Sequence, residues 1–239
     1  GRVELKKELI DMIDLVKGAV SAFSLAAREK NLQINTYFPK EKIRAYIDKD
    51  RIIQVLTNLV GNALKFTQSG SIAISVAEKD DVIECSITDT GKGIAKEDLP
   101  KLFSKFQQFG RVHGPGEKGT GLGLSISKGI VELHKGKIWA DSELNRGTKI
   151  TFQLPKYTTR GLFKEYVNGG LKKITKEKSA LSILVFSLKD FKRLPAGEER
   201  EPSVAYELEM LLRRKIRCDS DAVVENNNII LMLLIGVQK

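Results

Sequence analysis

The sequence has little cysteine: only Cys85 and Cys218, in no CxxC or Cys/His arrangement. That spacing excludes a disulfide framework and the common zinc sites. Long apolar runs are missing too. The longest, residues 229–235 (IILMLLI), is far short of the roughly 20 residues needed to cross a bilayer. The amino terminus, GRVELKKELID, lacks the apolar core of a signal peptide, so a cytoplasmic chain is expected. Internal repeats and low-complexity tracts are absent. So are blocks of one charge sign, although the net charge is +10. Residues 1–159 hold 25 basic and 19 acidic residues, and residues 160–239 hold 15 and 11. The densest basic run, Arg213, Arg214, Lys215 and Arg217, falls on an expected helix among acids. It reads as a solvated face, and no nucleic-acid partner is expected.

What remains is a globular composition: 239 residues, 41% hydrophobic and 29% charged, enough for one or two domains with real cores. Apolar periodicity predicts a long helix over residues 7–30, carrying Leu9, Ile10, Ile13, Val16, Val20, Phe23 and Ala27. Alternation predicts strands over 32–38 and 43–47, closed by the turn at Pro39 and Lys40. Asp48, Lys49 and Asp50 announce a second helix over 51–66. A strand hairpin over 71–77 and 82–88 follows, then a glycine-rich stretch from 91 to 123. A helix over 122–134 and strands over 137–141 and 148–154 complete residues 1–157, and a boundary is expected near Pro155 and Arg160. The expected class is α/β, a two-layer sandwich of antiparallel strands with helices on one face. Residues 158–239 read as a smaller α/β domain: helices over 162–176 and 204–217, a strand over 181–188 and a hairpin around Asn226, Asn227 and Asn228.

Three segments are candidates for chemistry, although taken singly each also reads as an ordinary feature: a solvent-facing polar stripe, a β-turn and a glycine-rich turn. On the second helix, Gln54, Asn58, Asn62 and Lys65 fall within about 80° of one another around the axis. The apolar Ile52, Leu56, Leu59, Val60 and Ala63 take the other side. Asparagine is a poor helix former, so two of them four apart need a reason. An amide oxygen suits Mg²⁺, and a lysine is a point charge for phosphate. The second segment, Asp89 to Ile94 (DTGKGI), follows a strand. Its glycines let the backbone approach a planar ligand, and an ionised aspartate accepts from the adenine amino group while repelling the guanine carbonyl. The third, Gly119 to Leu124 (GTGLGL), opens a helix and exposes N–H groups to an anion. No strand immediately precedes it, so it is not a dinucleotide fingerprint.

In this order, residues 54–67 (QVLTNLVGNALKFT), 89–94 (DTGKGI), 103–108 (FSKFQQ), 119–124 (GTGLGL) and 146–148 (RGT) resemble the N, G1, F, G2 and G3 boxes of the sensor histidine kinase catalytic domain. That family shares its α/β-sandwich fold with gyrase, Hsp90 and MutL. The resemblance implies that the chain binds ATP and Mg²⁺. Asn62 stands at the Mg²⁺ ligand, Asn58 at its polar neighbour, Lys65 at a phosphate contact and Phe66 at the purine. Asp89 stands at the adenine-reading carboxylate. Gly91, Gly93, Ile94, Phe106 and Thr148 belong to the implied nucleotide site. Gly119, Thr120, Gly121, Leu122, Gly123 and Leu124 hinge an ATP lid over residues 109–118. Gln108 stands where many relatives carry arginine.

The ATP-hydrolysing members carry a glutamate general base where this chain has Asn58, an amide that cannot take a proton. A histidine nucleophile needs no such base, because neutral imidazole already has a lone pair. The resemblance therefore implies phosphotransfer from ATP to a histidine, with Asn58, Asn62 and Lys65 as the catalytic set. A conformational ATPase of the same fold and a nucleotide-binding docking module are the alternatives. His113, in the lid, and His134 lack the surroundings of the family's phosphoacceptor. The implied partners are an acceptor-histidine dimerisation domain lying upstream of Gly1 and the receiver domain of a response regulator. The full-length protein would be a homodimer and this fragment a monomer.

Residues 162–192 resemble the opening of the GGDEF family of diguanylate cyclases, including the pair Phe191 and Lys192. Aligned on the family's hairpin, Asn226, Asn227, Asn228, Ile229 and Ile230 fall on its signature, and Ser187 falls where a metal-binding aspartate is expected. With the acids gone, Mg²⁺ and GTP have no ligands there, so the resemblance implies a degenerate relative without cyclase chemistry. An unrelated small α/β domain is the other reading.

Overall fold

The computed structural model describes residues 5–107, 121–156, 181–187, 222–226 and 229–235, with the single positions Gly161, Val167, Asn168, Leu171, Leu211 and Leu212. The chain divides into two compact units between Lys156 and Tyr157.

The segment expected as one helix over 7–30 is three elements: β1 (Lys7–Asp11), α1 (Met12–Ser21) and α2 (Ser24–Glu29). Asp11 is the reason for the first break. Its backbone is extended and its side chain accepts from the Ile13 N–H at 2.9 Å, which starts the helix after it. The residues before it pair antiparallel with β3 (Arg44–Asp48), Leu9 opposite Tyr46 and Ile10 opposite Ala45. The second break falls at Ala22 and Phe23. There the hydroxyls of Ser21 and Ser24 donate to the Gly18 and Ser21 carbonyls, competing with the helix ladder.

β2 (Gln33–Tyr37) and β3 are strands, but the expected closing turn does not join them into a hairpin. β3 pairs with β1, and β2 pairs in parallel with β4. The main sheet has five strands in the order β2-β4-β5-β7-β6: β4 (Ser71–Lys79), β5 (Val82–Asp89), β6 (Lys137–Glu143) and β7 (Gly147–Pro155) complete it. Every pair except β2 with β4 is antiparallel. Alternate residues Ile72, Ile74 and Val76, Ile83, Cys85 and Ile87, and Ile150, Phe152 and Leu154 are buried under the helices. Above them lie α3 (Lys49–Phe66) and α4 (Gly123–Leu133). α3 buries Ile52, Val55, Leu56, Leu59, Val60 and Ala63, so its polar stripe faces away from the core. The expected two-layer α/β sandwich is the fold of this unit.

The ends of α3 are fixed from several directions. The Asp48 carboxylate accepts from the Arg51 and Lys6 N–H groups, at 3.1 and 2.9 Å. At the other end Thr67 Oγ1 donates to the Ala63 carbonyl, and Lys30 Nζ to that of Leu64. His134, 2% exposed, joins the end of α4 to the start of α3. The Asp48 N–H donates to its Nε2 at 3.0 Å, which makes Nδ1, 2.8 Å from the Ile130 carbonyl oxygen, the protonated nitrogen. The ring is neutral and both nitrogens are engaged. His134 is a structural histidine; His113 lies outside the described residues.

In the second unit, β8 (Leu181–Ser187), β9 (Ala222–Asn226) and β10 (Ile229–Ile235) form an antiparallel sheet in the order β8-β10-β9. Ile229 is the register partner of both Ser187 and Asn226. Asn227 and Asn228 lie outside the described residues, as do almost all of the helices expected over 162–176 and 204–217.

Candidate functional site

Four of the expected site residues ride on α3. Asn58, Asn62 and Lys65 are half-buried on the stripe away from the core, and Phe66, at the last turn, is 40% exposed. The Lys65 and Lys92 ammonium groups lie 6.0 and 5.1 Å from the centre of the Phe66 ring, so two cations sit within reach of one aromatic ring.

β5 delivers Asp89 to the same end of the sandwich. Its carboxylate accepts from the Gly91 N–H at 2.8 Å, and its backbone pairs with Thr148 on β7. Burial pushes the Asp89 carboxyl above the ordinary range, and hydrogen bonds from the Gly91 and Thr148 N–H groups oppose that only partly. An ionised carboxylate accepts in about four directions, so two backbone donors leave room for a purine amino group.

The turn after Asp89 is held against α3 on one side and the β6–β7 turn on the other. A Cβ at Gly91 would come within 2.5 Å of the Phe66 carbonyl oxygen. Gly93 has φ +68°, and a Cβ there would lie 2.0 Å from the Glu143 carbonyl oxygen. Ile94 N–H donates to Ser142 Oγ, which also bonds the Gly147 carbonyl and lies 2.9 Å from Thr148 Oγ1. Gly93→Ala is therefore expected to destabilise the unit by about 2–3 kcal/mol, through backbone strain and a clash with main chain that cannot retreat. Gly129→Ala, inside α4 with open space at its Cβ, is expected to raise stability by about 0.5–1 kcal/mol. Denaturant midpoints of the two variants check the opposite signs.

Phe106 and Gly121 meet across the undescribed segment between them. The Phe106 N–H donates to the Gly121 carbonyl at 3.0 Å, and both residues have left-handed backbones, φ 63° and +67°. A Cβ at Gly121 would lie 2.9 Å from the Gln107 carbonyl oxygen, so glycine alone permits this closure. Phe106 itself is exposed. Leu122 precedes α4, and Leu124 packs against the core. Gln108, Gly119, Thr120 and the lid expected over 109–118 lie outside the described residues.

α4 closes the site against α3. Asn58 Nδ2 donates to Ser127 Oγ at 2.9 Å, and Asn62 Nδ2 lies 3.5 Å from Asn58 Oδ1. A cavity of about 290 Å³ opens beside them, lined by Gln54, Thr57, Asn58, Gly123, Ile126 and Ser127. Sequence reasoning missed Ser127 and Lys92. Ser127 carried a usable signal: it shares the spacing of Ile130, Val131 and His134, a buried stripe on which a hydroxyl needs a partner.

The raised Asp89 carboxyl has a consequence for pH. In a group raised on folding, the native state holds its proton more tightly, so stability is greatest at low pH. It falls as pH rises from the ordinary carboxylate value through the higher native one. If Asp89 is the adenine-reading carboxylate that the sequence leads one to expect, recognition needs its ionised form, and nucleotide affinity should change oppositely and weaken as pH falls through that window. Calorimetry of nucleotide binding in buffers of different ionisation enthalpy should find proton release there, and Asp89→Asn should abolish it.

Residues 47–158 match the family described as histidine kinase-, DNA gyrase B-, and HSP90-like ATPase. The sensor histidine kinase WalK of Bacillus subtilis is 35% identical over 155 residues, 64% of this chain and 25% of WalK. The catalytic domain of the histidine kinase ThkA is 32% identical with a TM-score of 0.56, over 63% of this chain and 95% of that domain. ThkA has also been solved with the response regulator protein TrrA, a match of 29% identity and TM-score 0.54 over 63% of this chain and 42% of that one. Full-length ShkA in complex with AMPPNP is 28% identical with a TM-score of 0.59, over 66% of this chain and 33% of ShkA. The chain thus spans about a quarter of the length of the curated relative WalK. Through its first unit it belongs to the ATP-binding catalytic domains of the sensor histidine kinases.

Proposed function

We propose that the chain binds Mg·ATP at the end of the sandwich formed by α3, the Asp89–Ile94 turn and the start of α4. From there it transfers the γ-phosphoryl group to a histidine on a separate dimerisation domain, and a response regulator receiver domain then takes the group. The observation that carries this reading is the state of Asn58. It occupies the position from which the hydrolysing relatives supply a general base, it cannot accept a proton, and its amide is committed to Ser127.

The remaining residues supply position and charge, on which phosphoryl transfer mainly depends. Asp89 reads the purine amino group, Lys65 faces phosphate, and Phe66 packs at the base with its two flanking lysines. Among the described residues no three His, Cys, Asp or Glu side chains gather into a metal cage. A single amide oxygen fits Mg²⁺, which keeps waters and takes its other ligands from nucleotide phosphates. Asn62 would hold that ion, which neutralises charge on the phosphates.

For the second unit we propose a degenerate relative of the diguanylate cyclases that serves contacts or regulation. Among the described residues no helix is long and apolar enough to cross a membrane.

The test supplies acceptor helices of a cognate kinase to this chain with labelled ATP. Label on the acceptor histidine, with slow hydrolysis when the helices are left out, is expected. Steady ATP turnover without an acceptor would favour a conformational ATPase. Nucleotide binding with neither reaction would favour a docking module.

A further inference from the structure

We propose, on that reading of the site, that Ser127 is a positioning residue: acting through Asn58, it turns the amide of Asn62 so that its oxygen faces the nucleotide's cation. Ser127 is 1% exposed, and its Oγ accepts from Asn58 Nδ2 at 2.9 Å. The other end of the Asn58 amide lies against Gly123, the first residue of α4. A Cβ there would sit 2.1 Å from Asn58 Oδ1. The first turn of a helix carries unsatisfied N–H groups and a partial positive charge, which favours an oxygen at that spot over an NH₂. The helix start selects which end of the Asn58 amide faces it, and the Ser127 hydroxyl, able to donate or accept, holds the amide in that orientation by accepting from Nδ2.

That choice propagates. Asn58 Oδ1 lies 3.5 Å from the Asn62 amide and attracts a donor, so Asn62 turns its nitrogen inward and keeps its oxygen outward. Only the oxygen is useful to Mg²⁺, because an amide NH₂ has no lone pair to offer. A reversed Asn58 would draw the Asn62 oxygen inward and present an NH₂ to the metal. Gly123 belongs to the same device, since a side chain there would displace the Asn58 oxygen.

The test measures ATP affinity of the whole chain with and without Mg²⁺, alongside the side-chain amide resonances of Asn58 and Asn62. Partners behind a metal ligand commonly tune affinity, so Ser127→Ala is expected to cut the Mg²⁺-dependent gain in ATP affinity by about tenfold while leaving metal-free affinity within about twofold. The Asn62 amide resonances should shift although Ser127 does not touch that residue. Ser127→Thr, which keeps the hydroxyl, should restore both. An unchanged Mg²⁺ gain with unchanged Asn62 resonances overturns the relay, as does an equal loss of metal-free and metal-bound affinity. If Mg²⁺ adds nothing to ATP binding in the unaltered chain, the metal reading of the site falls, and the purpose of the relay with it.

Discussion

Asp89→Ala is expected to weaken adenine nucleotide binding by roughly ten- to a hundredfold, about 1.5–3 kcal/mol for a hydrogen bond to a charged acceptor. The loss has two parts. On the proposed function the purine amino group forfeits a buried acceptor, and the Gly91 and Thr148 N–H groups lose their carboxylate partner. Asp89→Asn separates the two. Its amide keeps an oxygen for the backbone donors but adds an NH₂ that donates to the guanine carbonyl. ATP affinity should fall while GTP affinity rises, narrowing the preference. Calorimetry with both nucleotides on the three proteins decides it. Equal ATP and GTP affinity in the unaltered chain would remove the assignment of Asp89 as the base reader.

The stripe that made α3 readable is a one-helix property. Period 3.6 separates Asn58, Asn62 and Lys65 from the buried Leu56, Leu59 and Val60, and no distant contact can undo that. The β4–β5 hairpin was legible for the same reason: alternation on both sides of a short turn at Lys79, Asp80 and Asp81 sets the pairing locally. Reading failed where partners were remote. Leu9, Ile10, Ile13 and Val16 fit a helical period, yet the first two pair with β3, more than thirty residues on. Nothing local distinguishes a strand formed on a borrowed edge from the first turn of a helix. β2 and β3 alternate correctly on either side of Pro39, but β4 claims β2 in parallel, and no local turn specifies a parallel partner.

The site divides along the same line. Motifs that fold on themselves, the Asp89–Ile94 turn and the start of α4, could be found from spacing. Their joining could not. Lys92 stands beside Phe66 only because the turn packs on the end of α3, and Ser127 meets Asn58 only because α4 lies along α3, 69 positions apart in the chain. A polar side chain on an otherwise apolar stripe is the trace such joints leave in a sequence. Ser127 and His134 both leave it, and each is satisfied by α3 or the residue that caps it.

Asn62→Asp tests the chemistry with the least change of shape. The carboxylate still offers an oxygen to Mg²⁺, so a simple count of ligands predicts little effect. Two other consequences oppose that. Asn62 Nδ2 now faces Asn58 Oδ1 at 3.5 Å, and the substitution places a charged oxygen against that carbonyl. The side chain is pushed out of the position the relay gave it. A negative charge also enters where the phosphates already concentrate it, and the half-buried setting screens it poorly. On the proposed function, transfer rests on positioning and charge neutralisation, so phosphorylation of supplied acceptor helices is expected to fall by about a hundredfold or more. Metal-free ATP affinity should fall less, because Asp89 and the other residues proposed to hold the purine are untouched. Asn58→Asp makes the informative counterpart, since it restores a carboxylate near the position of the missing general base. Its aspartate is shorter than the glutamate of the hydrolysing relatives, so hydrolysis should stay slow, while the Ser127 hydroxyl turns from acceptor to donor toward the new carboxylate. Acceptor labelling and phosphate release measured side by side separate these outcomes. Undiminished transfer in Asn62→Asp would show that the metal is held elsewhere.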